Sequence, residues 1–66
     1  MEVCVNGKPI AIPAGCTLSM LIQQLSLGGG KIAVELNQDI VPRSQYDELQ
    51  LKEGDQLEIV QAIGGG

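Results

Sequence analysis

The residues that carry the clearest chemical meaning stand at the end of the chain, where Ile63 is followed by Gly64-Gly65-Gly66. Three glycines after an apolar run cannot pack, bring no side-chain chemistry and cost entropy to order. What they offer is a narrow backbone that presents a main-chain carboxylate. A carboxylate that had to enter a narrow enzyme site and meet the α-phosphate of ATP would benefit from having no Cβ nearby, so the tail reads as a substrate and not as a catalyst. On composition alone the same glycines read equally well as a frayed end.

Other reactive residue types are sparse. Histidine is absent, so no Ser-His-Asp or Cys-His unit can be assembled and no imidazole is available as a base or metal ligand. Cys4 and Cys16 lack the Cys-x-x-Cys spacing, and no further Cys or His completes a metal site, so core or surface thiols are the simpler reading. Glu35 with Glu58, or Asp39 with Asp55, are conceivable acid-base pairs, although turn and solvated-face roles are commoner. Arg43 is either a contact for an acidic patch on a partner or an exposed, solvated cation. No residue is assigned a catalytic or metal-binding role, and the chain is expected to be acted upon and not to be an enzyme.

Charge and size narrow the partners. Eight acidic residues against four basic ones give a net charge of −4, the wrong sign for a protein that binds nucleic acid or an anionic membrane. With 44% hydrophobic residues in a chain of 66, there is material for one small core, and the absence of Trp and Phe makes that core aliphatic. Two cysteines are too few for a secreted disulfide scaffold, and Met1-Glu2-Val3 begins neither a signal peptide nor a membrane span, which points to the cytoplasm.

The elements that must position the tail follow from periodicity. Met1 to Ile12 reads as two strands around Asn6-Gly7, a strong hairpin signal because both turn residues need positive φ. A two-residue turn sets Val5 against Lys8, Val3 against Ile10 and Met1 against Ile12, and Pro9 marks the second strand as an edge. Thr17 is the expected N-cap of a helix of two to three turns whose Leu18, Leu21, Ile22 and Leu25 follow helical spacing, with Met20 leaving the capping box incomplete.

Gly28-Gly29-Gly30 ends that helix as a loop; it is no phosphate cradle, because it follows a helix and precedes a strand. Ile32 to Asn37 alternates as a half-buried strand, Asn37-Gln38-Asp39 turns the chain, and Ile40-Val41 is a short extended piece closed by Pro42. Ser44 to Gln50 holds a helical turn that packs Tyr46 and Leu49 inward. Lys52-Glu53-Gly54-Asp55 is a turn, and Gln56 to Ala62 is the last strand, expected to be central and partly buried on both faces.

This order of hairpin, helix, strand, short strand with a helical turn, and final strand is α+β, with one helix covering one face of a mixed sheet. It is the order of the ubiquitin-like β-grasp, in which the first and last strands lie side by side and parallel. One domain is expected over residues 1–63, followed by a flexible glycine tail over 64–66.

The segments Glu35-Leu36-Asn37, Ile40-Val41-Pro42-Arg43, Leu51-Lys52-Glu53-Gly54-Asp55-Gln56-Leu57-Glu58-Ile59-Val60 and Ala62-Ile63-Gly64-Gly65-Gly66 together resemble the ThiS family of sulfur carriers for thiamine biosynthesis. The resemblance runs over essentially the whole chain. The related MoaD carriers share the fold and the Gly-Gly end, but tend to be longer and lack the Val-Pro-Arg segment.

The resemblance implies that the Gly66 carboxylate is adenylated by an E1-like (ThiF-type) enzyme with ATP and converted to a thiocarboxylate. The sulfur would come from a cysteine desulfurase pathway and pass to thiazole synthase of the ThiG type. Gly65 and Gly64 would thread the partner sites, and no cofactor would be bound by the carrier, ATP being used by the activating partner. Two other readings share the glycine end: a MoaD-like carrier for molybdopterin and a ubiquitin-like modifier conjugated to lysines. The exposed sheet face near the tail is the expected docking place for the partners.

Overall fold

The computed structural model describes residues 1–25 and 31–61. Its first hairpin pairs β1 (Glu2–Val5) with β2 (Lys8–Ala11) in the expected register, Val5 against Lys8 and Val3 against Ile10. The turn residues Asn6 and Gly7 have φ of 51° and 84°, as a two-residue turn matched to strand twist requires. The register extends to Met1, whose nitrogen donates to the Ile12 carbonyl and whose carbonyl accepts from the Ile12 N–H, each at 2.8 Å.

The helix α1 (Leu18–Gln24) is capped by Thr17, whose hydroxyl accepts from Met20 N at 3.3 Å. The incomplete capping box is made good from elsewhere in the fold: Leu18 N and Ser19 N donate to the carbonyls of Leu49 and Tyr46 at 2.9 and 3.0 Å. These free N–H groups of a helix start are therefore paired with the segment after Pro42. That segment begins with a 3₁₀ turn at Arg43–Gln45 and delivers buried Tyr46 and half-buried Leu49 to the core, as the sequence suggests.

The second hairpin joins β3 (Ile32–Leu36) to β4 (Asp39–Val41), and the last strand, β5 (Gln56–Gln61), completes a five-stranded sheet in the order β2-β1-β5-β3-β4. As expected, β1 and β5 run parallel, with Cys4 beside Gln56 and Val5 beside Leu57, and β2 is an edge. Val3, Val5, Val34, Val41, Leu57 and Ile59 point from one side of the sheet into an aliphatic core with Leu18, Leu21 and Ile22 of α1. Leu18 and Leu21 are fully enclosed, which makes this single helix the lid of the core.

Two expectations need correction. The second turn is tighter than Asn37-Gln38-Asp39: it consists of Asn37 and Gln38, with φ of 50° and 75°, and Asp39 already belongs to β4. Ile40-Val41 lies in the expected short strand, which takes in Asp39 as well and pairs with β3. Finally, β5 is central in the sheet but buried on one face only. Its Leu57 and Ile59 are core, while Glu58 and Val60 stand on the exposed face, because among the described residues a helix lies against one side of the sheet alone. The loop expected at Gly28-Gly29-Gly30 lies outside the described residues.

Candidate functional site: the end of the central strand and the open sheet face

The strand that leads to the glycine tail is paired on both sides in the sheet. On one side, β5 pairs with β3 along its length, from Leu36 against Leu57 to Ile32 against Gln61. On the other, the N–H groups of Cys4 and Asn6 donate to the carbonyls of Asp55 and Leu57, both at 2.9 Å. Two side chains extend these ladders. Asn37 Oδ1 accepts from Gln56 N at 3.0 Å, and its Nδ2 donates to Asp55 Oδ1 at 3.2 Å. Asn6 Oδ1 accepts from Ile59 N at 2.8 Å, and its Nδ2 donates to the Ile59 carbonyl at 3.0 Å.

The turn ahead of β5 is fixed as tightly. Asp55 Oδ2 accepts from Lys52 N at 2.7 Å, Glu53 Oε1 accepts from Glu2 N at 3.0 Å, and Gly54 N donates to the Glu2 carbonyl at 2.8 Å. Gly54 has φ of 83°, a conformation that side-chain-bearing residues adopt only with strain, so this turn needs its glycine.

The face opposite α1 carries Cys4, Glu35, Ile40, Glu58 and Val60. Ile40 is 78% exposed and Val60 64%, both large apolar side chains open to solvent. Between them the register places Glu35 directly opposite Glu58, with Ile40 on the far side of Glu35. Glu35 and Glu58 thus come together as the sequence allowed, but both are exposed, in an open groove shared with Asn37, Gln38 and Gln56. A second shallow groove, lined by Lys31, Ile32, Ala33, Val60 and Gln61, runs beside the end of β5. Asp39 and Asp55 serve different structures, the start of β4 and the turn before β5, and form no catalytic pair.

Arg43 is exposed on the 3₁₀ turn. Both cysteines are free: Cys4 is half-buried on the open face and Cys16 is buried beneath the helix start, its thiol donating to the Thr17 carbonyl at 3.4 Å. Gly64, Gly65 and Gly66 lie outside the described residues, which end at Gln61. Among the described residues no group of three or more His, Cys, Asp or Glu side chains is placed to hold a metal, and no helix is long and apolar enough to cross a membrane.

The sequence did not point to the two asparagine clamps or to the outward-facing Ile40. Asn-Gly was legible as a turn, but the partner of Asn6 lies 53 residues away. Register information of that kind is not local.

The model of the ThiS family matches residues 3–66. The chain belongs to the ThiS family. Over 66 residues it is 35% identical to the sulfur carrier protein ThiS of Escherichia coli, with 100% of both chains covered. The crystal structure of thiamine biosynthesis protein ThiS from Geobacter metallireducens superimposes with a TM-score of 0.84 at 30% identity, again over 100% of both chains. The mixed sheet with one helix is therefore the ThiS β-grasp, ubiquitin-like as the element order suggested. This ThiS-family chain is also 41% identical to a thiazole synthase of Paramagnetospirillum magneticum and 42% identical to one of Magnetococcus marinus, in each case over 66 residues. It spans only 20% of the length of each of those thiazole synthases.

Proposed function

We propose that this protein is a sulfur carrier of thiamine biosynthesis, a substrate presented to partner enzymes and not itself an enzyme. The observation that carries this reading is the match of the family model out to residue 66, together with full-length similarity to a sulfur carrier protein. The fold is consistent with it. The central strand, paired on both sides, runs to Gln61 and leads in sequence through Ala62 and Ile63 to three glycines.

In this reading a carboxylate oxygen of Gly66 attacks the α-phosphorus of ATP in the site of an E1-like adenylyltransferase, and pyrophosphate leaves. The acyl-adenylate supplies the activation that a bare carboxylate lacks. Sulfur carried as a persulfide by a cysteine desulfurase pathway, and released from it at the sulfide level by a thiol that is oxidised to a disulfide, then adds to the Gly66 carbonyl carbon. AMP departs with the original carboxylate oxygen, and a thiocarboxylate remains. Sulfur is softer and more nucleophilic than oxygen, so the product can donate it to the thiazole-forming enzyme.

The two similar thiazole synthases contain a region like this chain within a much longer polypeptide, which supports thiazole synthase as the acceptor. Gly65 and Gly64 pass through the channels of both partners, where a Cβ would meet the wall. The open sheet face, with Ile40 and Val60 exposed, offers the apolar contact area for docking, and Arg43 stands free to meet an acidic group on a partner. Two free thiols and an acidic surface suit the reducing cytoplasm in which such enzymes work.

Removal of Gly66, or replacement of Gly65 by Leu, tests this role. Pyrophosphate release by the activating enzyme with ATP is expected to vanish while the circular dichroism spectrum of the carrier is unchanged. Normal release from the truncated chain would refute the assignment of Gly66.

A further inference from the structure

We infer that Asn6 is a positioning residue for the sulfur-bearing tail, holding the root of that tail through the backbone of Ile59. The inference rests on the carrier reading and adds a residue to it. The backbone of β1 makes its last contact with β5 where Asn6 N donates to the Leu57 carbonyl at 2.9 Å. The chain then reverses at Asn6-Gly7, while β5 continues to Gln61. The N–H and carbonyl of Ile59 therefore face a turn and not a strand. The Asn6 carboxamide takes both, at 2.8 and 3.0 Å, and so imitates one more residue of the parallel ladder.

The residue type is restricted twice. A carboxamide is needed because one group must accept and the other donate. The backbone, at φ of 51°, favours Asn over longer side chains. Without the carboxamide, β5 beyond Leu57 is paired from the β3 side alone, through Glu35, Val34, Ala33 and Ile32. Its last residues, Val60 and Gln61, then sample more directions. A tail whose root is only fractionally in the competent direction binds its partner with affinity lowered by that fraction. The bound complex and its chemical step are unaltered, so KM rises and kcat does not change.

Asn6→Gly isolates this effect, since Gly-Gly retains the two-residue turn with positive φ while deleting the carboxamide. Two measurements are made on the full chain. The first is amide hydrogen exchange at Ile59 relative to Val34. The second is the carrier-concentration dependence of pyrophosphate release by an E1-like activating enzyme with ATP. For Asn6→Gly, Ile59 exchange is expected to accelerate about tenfold relative to Val34. KM for the carrier is expected to rise about threefold to tenfold with kcat within about twofold. Asn6→Asp retains the acceptor for Ile59 N but loses the donor, and is expected to recover part of both effects.

Ile59 exchange unchanged in Asn6→Gly would overturn the clamp. Faster Ile59 exchange with an unchanged KM would overturn the positioning role, leaving Asn6 as a structural residue. A wild-type chain that releases no pyrophosphate would overturn the carrier reading and this role with it. A wild-type chain that is active, with a KM unaltered in Asn6→Gly, would overturn the present inference alone.

Discussion

Asn6 and Asn37 grip the central strand from opposite sides, Asn37 accepting from the N–H of Gln56 near its start and Asn6 from the N–H of Ile59 near its end. Both occupy left-handed turn positions, with φ of 51° and 50°, and both follow the strands that flank β5. The conformation that closes each hairpin also carries the side chain to the neighbouring strand. Turn chemistry and sheet register are thereby coupled, which suits a strand that must hold its course up to a reactive tail.

Asn37 separates two physical effects. Asn37→Gly keeps the turn but loses the bonds to Gln56 N and Asp55 Oδ1, and is expected to cost about 1–2 kcal/mol of unfolding free energy. Asn37→Ala loses the same bonds and adds left-handed strain, about 1 kcal/mol more. Urea denaturation of the two variants reads the difference; equal losses would show that the turn is unstrained.

Gln38 is the unfavourable member of the same turn. With φ of 75° it bears a side chain where a two-residue hairpin prefers glycine. Gln38→Gly is expected to raise stability by about 0.5–1 kcal/mol, seen as a higher urea midpoint at an unchanged m-value. A lower midpoint would mean that the side chain makes a contact worth more than the strain.

Much of this architecture was legible in the sequence, and the limits have physical causes. Asn6-Gly7 revealed its hairpin because its dipeptide matches the turn. Asn37-Gln38 hid its two-residue geometry because Gln38 is not a turn residue by type. Thr17 and the Leu18, Leu21, Ile22 spacing gave the helix, whereas the bonds from Leu18 and Ser19 to the 43–50 segment are non-local. The apolar run around Ile59 and Val60 looked covered on both sides, since β-branched residues suit a strand whether its second face is covered or open. Of the candidate site, the facing pair Glu35 and Glu58 was visible, but the exposure of Ile40 depended on which edge β4 joined, and the glycine end lies outside the described residues.

Glu35 and Glu58 repel one another across the ladder. Glu58→Lys converts the pair to opposite charges and is expected to stabilise the fold by about 0.2–1 kcal/mol, most at low ionic strength. Thermal unfolding at low and high salt measures this. A gain that does not shrink with salt would point to packing and not to charge.

The thiols are bystanders in the proposed chemistry. Cys16 is buried and Cys4 half-buried, and neither belongs to the strand that leads to the tail. The double variant Cys4→Ser, Cys16→Ala is expected to lose about 1–2 kcal/mol of stability, from the buried position. It is expected to accept sulfur as the wild type does; loss of thiocarboxylate in the folded variant would give the thiols a role in transfer.

The most direct measurement is a C-terminal-fragment mass spectrum of the carrier after reaction with its activating enzyme, ATP and a sulfur source. Oxidation of Met or Cys adds nearly the same mass as exchange of oxygen for sulfur, so the fragment must place the change on a residue. The carrier reading requires the gain on Gly66, and its loss when ATP is omitted. A Gly66 that remains a carboxylate, with neither adenylate nor thiocarboxylate formed, would contradict it.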